Sequence, residues 1–227
     1  MAGRIAYYGN IVTNGLVLNL DSTEPLSYPL TGSTWFDTSL NSNNATLVNG
    51  PAYTGSNYGA IVFDGVDDTA TFPSTFNATT AGLNGFHSVE MWIKPFRVDQ
   101  PNDGLFRCLN TVSTNSYLHY LMRNSRFYLG WYSVDVLGNV ILTANNWYHV
   151  VFMFGSDMVQ RIYTNGTLDA AGPVLGSFFN GGVAPISLAY YATYFQGLMS
   201  VVRVYNRGLS AAEISQNFNA YRTRYGI

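Results

Sequence analysis

Apolar positions along this chain come in short runs that Gly, Pro, Asn and Ser repeatedly interrupt, the layout of many brief β-strands joined by turns. Gly15 to Asp21 (GLVLNLD) alternates as a strand, and a Pro/Gly/Ser loop follows over 22–34. Residues 35–49 are Asn-rich and predict a long loop leading to a short strand at Ala45–Val48. Ile61 to Phe63 predicts a strand that stops at the turn pair Asp64-Gly65. Val89, Met91 and Ile93 alternate with Glu90, Trp92 and Lys94, so both faces carry apolar side chains; this predicts a central strand, closed by Pro95. Two runs, Tyr117 to Arg123 and Arg126 to Tyr132, flank Asn124-Ser125 and predict a two-residue hairpin. Trp147 to Phe154 and Val159 to Thr164 are further strands, the second meeting the hairpin pair Asn165-Gly166. Gly197 to Tyr205 supplies the last one.

Near the C-terminus the period changes from two to that of a helix. Ser210 and Glu213 have capping-box spacing, in which the serine oxygen accepts the third amide and the glutamate reaches back to the cap amide. Leu209 and Ile214 occupy the hydrophobic-staple positions, and Ile214, Phe218 and Tyr221 share one face. A short helix over 211–221, packed on the strands, is expected. The sum is an all-β, two-sheet antiparallel sandwich with one C-terminal helix. No linker, repeat or low-complexity tract divides it, so a single domain over 14–227 follows an N-terminal arm of residues 1–13.

Composition narrows the partners. Hydrophobic residues make up 47% and charged residues 11%, well below the roughly 25% charge of ordinary soluble domains. Polarity comes from Asn, Ser, Thr and Tyr instead, which suits sugar contact or burial against other subunits. A single lysine, Lys94, stands beside ten arginines, and the planar, weakly hydrated guanidinium tolerates interfaces better than an ammonium. A formal net charge of −2 gives no basic field, so nucleic acid is excluded as an expected partner. No run of about 18 apolar residues is present, so no membrane span is expected. The opening MAGRIAYYGNIVTNG lacks the apolar core and cleavage site of a secretory leader, which predicts synthesis in the cytoplasm. Cys108 is the only cysteine, so an internal disulfide cannot form, and a structural thiol is the expected role.

Candidate chemistry is sparse. Asp64, Asp67 and Asp68 fall within one turn, where clustered carboxylates suit a hard cation such as calcium; the alternative is that Asp64 caps its own turn through backbone amides. The histidines His87, His119 and His149 share no metal-ligand spacing, and His149 reads as a core histidine satisfied by hydrogen bonds. No G-x-S-x-G elbow is present. Seventeen tyrosines and four tryptophans exceed what a core needs. Tyr117, Tyr120, Tyr128, Trp131 and Tyr132 cluster on one predicted hairpin, and Tyr190, Tyr191 and Tyr194 crowd a second segment. They are read as core first, protein interface second and sugar-stacking platform third. In the arm, Tyr7, Tyr8, Ile11 and Val12 carry enough apolar surface to dock on a partner, or else to cover the chain's own sheet edge.

Four phrases in order, FDGVDD (63–68), NNWYHV (145–150), YTNG (163–166) and VYNRGLSAAEI (204–214), resemble the laminin-G-like, concanavalin A-like jelly-roll domain. The resemblance runs from Asn14 to Ile227. It implies a jelly roll of roughly a dozen strands, and it makes FDGVDD mainly architectural. It also aligns DTSLNSNN (37–44) with a loop that reads D-x-S-G-N-G-N-x-G in relatives, where Asp37, Asn41 and Asn43 would hold a structural calcium ion. Leu40 and Ser42 replace two glycines of that pattern. Apart from this candidate ion, no cofactor is expected. Sandwich glycosidases of the superfamily place alternating carboxylates on one strand, and hydrolysis needs two carboxyls about 5–10 Å apart; Glu90 stands alone on its strand, so no enzyme is expected. The opening YYGNIVTNGLVLNLD and closing NFNAYRTRYGI are similar to stand-alone domains of tailed-phage particles. The resulting expectation is a virion structural protein, a capsid decoration or a tail or fibre component. It would adhere to the major capsid or tail protein, gather as a homo-oligomer around a symmetry axis, and contact host glycan. The alternative is a soluble carbohydrate-binding lectin module.

Overall fold

Both expected hairpins form through paired left-handed residues: Asn124 and Ser125 have φ of 52° and 57°, and Asn165 and Gly166 have φ of 51° and 76°. Positive φ at both central positions is the turn whose twist matches that of paired strands. Around these turns the computed structural model, which describes residues 10–109 and 115–227, has sixteen strands and one α-helix among those residues. In order they are β1 (Leu16–Asp21), β2 (Thr34–Trp35), β3 (Ala45–Val48), β4 (Ala52–Thr54), β5 (Ala60–Asp64), β6 (Thr69–Thr71), β7 (His87–Pro95) and β8 (Asp103–Leu109). There follow β9 (Tyr117–Arg123), β10 (Arg126–Gly130), β11 (Asp135–Leu137), β12 (Tyr148–Phe154), β13 (Val159–Thr164), β14 (Thr167–Val174), β15 (Ile186–Leu188), β16 (Gln196–Tyr205) and α1 (Ala211–Tyr225). The strand number exceeds the expected dozen because pieces of two or three residues, such as β2, β6 and β15, pair as separate strands.

The strands form two antiparallel sheets. One runs β14-β13-β12-β7-β16-β5-β4, with β1 also paired to β16; the other runs β11-β10-β9-β8-β15-β6-β3-β2. The doubly apolar β7 lies between β12 and β16, the central position its sequence predicts. Between the sheets lies one core that includes Trp35, Phe63, Met91, Phe106, Phe127, Phe152 and Val202. Burying side chains of this size contributes about 1.5–3 kcal/mol each.

The outer face of the first sheet is covered by α1. Its capping box closes as expected: Ser210 Oγ accepts from Glu213 N at 3.3 Å, and Glu213 Oε2 accepts from Ser210 N at 2.8 Å. The helix runs one turn past Tyr221, because Tyr225 still has a ring to bury; it stacks on Trp92 with centroids 4.4 Å apart. Gly226 then terminates it with φ of 74°, the left-handed C-cap that glycine favours.

Beneath α1 lies a buried polar network. Arg203 Nη1 donates to Glu90 Oε1 at 2.9 Å, Asn217 Nδ2 to Glu90 Oε2 at 2.6 Å, and Tyr221 Oη to Asp21 Oδ2 at 2.8 Å. His149 Nε2 lies 3.3 Å from Glu90 Oε1, and tilted contacts with the rings of Trp92 and Phe218 hold its imidazole. His149 is thus a core histidine, positioned more by rings than by the expected hydrogen bonds.

Of the arm residues, Tyr7 and Tyr8 lie outside the described residues. Ile11 and Val12 are buried against the chain's own sheet and helix. Val12 N donates to Asn217 Oδ1 at 2.8 Å, and Tyr205 Oη donates to Val12 O at 3.1 Å. Of the two readings of the arm, this burial fits the one in which it covers the chain's own sheet rather than a partner: Val12 joins the polar network, and the apolar surface of Ile11 and Val12 is used within the chain.

Candidate functional site

Strand alternation sorts the aromatic hairpin onto two faces. Leu118, Tyr120 and Met122 of β9 and Phe127 and Leu129 of β10 enter the core. Tyr117, His119, Leu121 and Arg123, with Tyr128, therefore face outward. Tyr120 and Trp131 are fully buried, so both leave the set of residues able to touch a ligand. Tyr120 Oη instead bonds His87 Nε2 at 2.6 Å, and Trp131 packs edge-on against Phe154.

The outward rings meet the second aromatic segment. His119 stacks on Tyr128 at 5.7 Å and on Tyr191 at 4.7 Å, and Tyr191 lies 5.4 Å from Tyr117. Tyr132 stands edge-on to Tyr117 at 6.5 Å, and Tyr190 stacks on Tyr194 at 4.5 Å. His119, Tyr128 and Tyr191, with Arg123, Tyr132, Ser133 and Asp135, line a depression of about 350 Å3. Tyr128 and His119 form its nearly buried floor; Tyr132 stands exposed and Tyr191 half-buried at its rim, with the half-buried Tyr117 against Tyr191.

Two glycines permit this assembly. A Cβ on Gly104 would lie 2.2 Å from the backbone of Tyr190 and Tyr191, so only glycine lets that segment lie down on β8. A Cβ on Gly130 would lie 2.3 Å from His119 Nε2, so the imidazole rests in the space a side chain would fill.

Arginines flank the rings. The Arg123 guanidinium lies 3.9 Å over Tyr128, with Nε and Nη2 donating to Asn102 Oδ1 at 2.8 and 2.6 Å. Arg107 lies 4.3 Å over Tyr190, and its Nε donates to Ser187 Oγ at 2.8 Å. Asp135 Oδ1 accepts from Trp131 N at 3.1 Å. Burial lowers the His119 pKa, with the Tyr117 carbonyl and Asp135 working against it. Burial, reinforced by the neighbouring Asp135 carboxylate, raises the Tyr128 phenol, and Arg123 partly offsets this. The result is a neutral, hydrogen-bonding aromatic surface with guanidinium groups beside it. Arg107, Arg123 and Asp135 are not singled out by the sequence, and His119 is weighed there only as a metal ligand; the available signal is that His119, Arg123 and Tyr128 share one parity on a readable hairpin.

The remaining candidates sit elsewhere. Asp64 Oδ1 accepts from Val66 N at 2.8 Å and Asp67 N at 3.4 Å, and Asp68 Oδ2 accepts from Asp64 N at 3.0 Å, so this cluster caps its own turn. Its carboxylate oxygens come within 4.8 Å of one another. The Asp37 carboxylate accepts from Asn19 N, Ser39 N, Ser39 Oγ and Asn43 N at 2.7–2.9 Å. Asn41 and Asn43 turn their Nδ2 groups toward Val17 O, at 3.2 and 3.1 Å. Ser42 takes φ of 57°, the left-handed conformation for which the family pattern uses glycine.

Glu90 is fully buried. The sheet brings Asp21 to the same face, but Arg203 stands between them, 3.7 Å from Asp21 and 2.9 Å from Glu90, and α1 covers both. Cys108 is buried, its Sγ donating to Ala184 O at 3.3 Å, and burial pushes its thiol up to about 12. A larger depression, about 430 Å3 beside the start of α1, has its arginines paired internally, Arg161 with Asp157 and Arg207 with Glu213.

No curated protein matches the chain by sequence. Among solved structures, it is similar to domain 4 of AbnA, a GH43 extracellular arabinanase from Geobacillus stearothermophilus, in complex with arabinotriose. The TM-score is 0.67 at 18% identity, over 92% of this chain and 100% of that one. It is also similar to the binding domain of Paraclostridial Mosquitocidal Protein 1, with TM-score 0.72, 13% identity, 91% of this chain and 52% of that one. A Trypanosoma rangeli sialidase in complex with the inhibitor DANA gives TM-score 0.66 at 19% identity, over 92% of this chain but only 33% of the sialidase. At these identities the likeness is one of fold. The family profile of the Concanavalin A-like lectin/glucanases superfamily matches residues 63–215, and the chain belongs to that family.

Proposed function

We propose that this protein is a non-catalytic carbohydrate-binding module whose site is the outward aromatic face of β8–β10 and the 190–194 segment. The observation that carries this reading is the continuous contact of Tyr117, His119, Tyr128 and Tyr191 beside an accessible depression. Ring faces of this kind stack on the apolar C–H surface of a sugar, while arginine, serine and carboxylate groups at the edge pair with hydroxyls. The arabinanase domain, matched over its whole length, is in complex with arabinotriose, which favours the same use of this fold. The non-catalytic part rests on Glu90, which Arg203 and Asn217 hold under α1, away from solvent.

The test is binding of the intact chain to immobilised glycans, with Tyr191→Ala as the control. Retention of a glycan class by the native chain and its loss in the variant supports the module. Equal retention by both, or none across a broad panel, overturns it. The setting we propose is the surface of a tailed-phage particle, where the same face would attach the particle to host polysaccharide. Peptide mass spectrometry of gradient-purified particles tests that setting separately, and absence from the particles removes it.

A further inference from the structure

Resting on that carbohydrate-binding reading, we infer that the face selects acidic glycans, with Arg107 and Arg123 as the groups that receive sugar carboxylates at its two ends. Every Asp and Glu of the chain lies in the described residues, and Arg97, Arg161, Arg203, Arg207 and Arg224 each have a carboxylate within 4.0 Å. Arg107, Arg123, Arg126 and Arg222 have none among the described residues, and of these Arg107 and Arg123 lie over rings of the aromatic face. Neutral partners orient them instead: Ser187 and the ring of Tyr190 for Arg107, Asn102 and the ring of Tyr128 for Arg123.

A guanidinium fixed by a ring and a side-chain oxygen keeps its charge and its remaining N–H donors, and its fork matches a carboxylate in two parallel bonds. β-Pairing places Arg107 opposite His119, and His119 opposite Gly130. The two cations therefore flank the ring stack rather than sharing one point. One carboxylate, Asp135, lines the depression, and Trp131 N already occupies one of its oxygens. Two unpaired cations against one carboxylate leave the face positive on a chain whose net charge is −2. A chain of uronic or sialic acid residues, apolar on its ring faces and anionic at intervals, matches that arrangement.

The experiment is titration of the intact protein with polygalacturonate, alginate and polysialic acid, each beside its carboxyl-reduced form, with polyglutamate as a non-sugar polyanion. We expect at least one acidic polymer to bind tenfold or more tighter than its reduced form. Arg107→Gln and Arg123→Gln should each shrink that ratio toward one, weakening the acidic form far more than the reduced form, and raised salt should do the same. Equal affinity for acidic and reduced forms overturns the acidic preference and leaves the carbohydrate reading intact. Binding of neither form across all three overturns the acidic preference, and the broad glycan panel then decides the carbohydrate reading. Polyglutamate binding as tightly as the best polymer overturns the sugar assignment in favour of an acidic peptide.

Discussion

Tyr191 lies on His119 with ring centroids 4.7 Å apart and planes inclined by 20°. That contact joins the 190–194 segment to β9, and it converts two separate aromatic clusters into one surface. Offset stacking at this spacing contributes about 0.5–1.5 kcal/mol beyond the area it buries, enough to hold the segment down without closing the depression.

Tyr191→Ala should therefore weaken glycan binding by at least about tenfold, roughly 1.4 kcal/mol, with a small change in melting temperature. Tyr120→Phe should do the reverse. It removes the 2.6 Å bond to His87 inside the core, so stability falls by about 1–3 kcal/mol while glycan affinity holds. Titration and thermal melting of both variants give the comparison, and a loss of affinity in Tyr120→Phe alone would contradict the assignment of faces.

Gly104→Val should displace the 190–194 segment, because the new side chain would meet the Tyr190–Tyr191 backbone at the 2.2 Å position already occupied. Overpacking of this kind costs about 1–3 kcal/mol. We expect a lower melting temperature together with weakened glycan binding. Unchanged binding would show that Tyr190 and Tyr191 need not be held on β8.

The Glu90–Arg203 pair should behave as a buried charge pair. Removing one partner leaves the other uncompensated at a cost of about 3–5 kcal/mol, so Arg203→Leu and Glu90→Leu should both lower the urea midpoint sharply. The double variant should recover much of the loss. Additive losses in the double-mutant cycle would deny that the two charges answer each other.

Acid should destabilise the protein in two stages. Burial lowers the His87 imidazole from 6.5 to about 4, with the Gly85 carbonyl opposing it. The unfolded chain then takes up a proton first, and stability falls as pH drops from 6.5 toward 4, by about 3 kcal/mol. Burial raises the Glu90 carboxyl, but Arg203, His149 and Asn217 outweigh it and bring it to about 2. Its contribution is full above 4.5 and is lost between there and about 2. Urea midpoints across pH 7 to 3 should decline through both windows, and His87→Gln should reduce the decline in the upper one, where His119, also lowered by burial, supplies the remainder. A flat native profile between 6.5 and 4.5 would contradict the His87 assignment.

Asp37→Ala should lower stability because four donors converge on that carboxylate. Each hydrogen bond to a charged group contributes about 1.5–3 kcal/mol at most. With its oxygens directed to amides and a hydroxyl, the loop should melt at the same temperature in millimolar calcium and in chelator. A rise of several degrees with calcium, absent from Asp37→Ala, would instead assign an ion there.

The chain itself determines what local spacing can encode. The hairpins at Asn124-Ser125 and Asn165-Gly166, the capping box of Ser210 and Glu213 and the central place of β7 each depend on residues a few positions apart, where turn dihedrals, amide geometry and side-chain period act directly. Tyrosine abundance on one hairpin was legible in the same way, but which rings were free was not. Tyr120 and Trp131 went into the core while Tyr117 and Tyr128 went out, since a strand's parity has meaning only once the second sheet shows which side is covered. The meeting of Arg107 with Tyr190 and of His119 with Tyr191, and the closure of Glu90 beneath α1 by Arg203 and Asn217, depend on sheet order and on the segments that cross it. Those contacts link residues far apart in the chain, no local period carries them, and only the packed tertiary structure decides them.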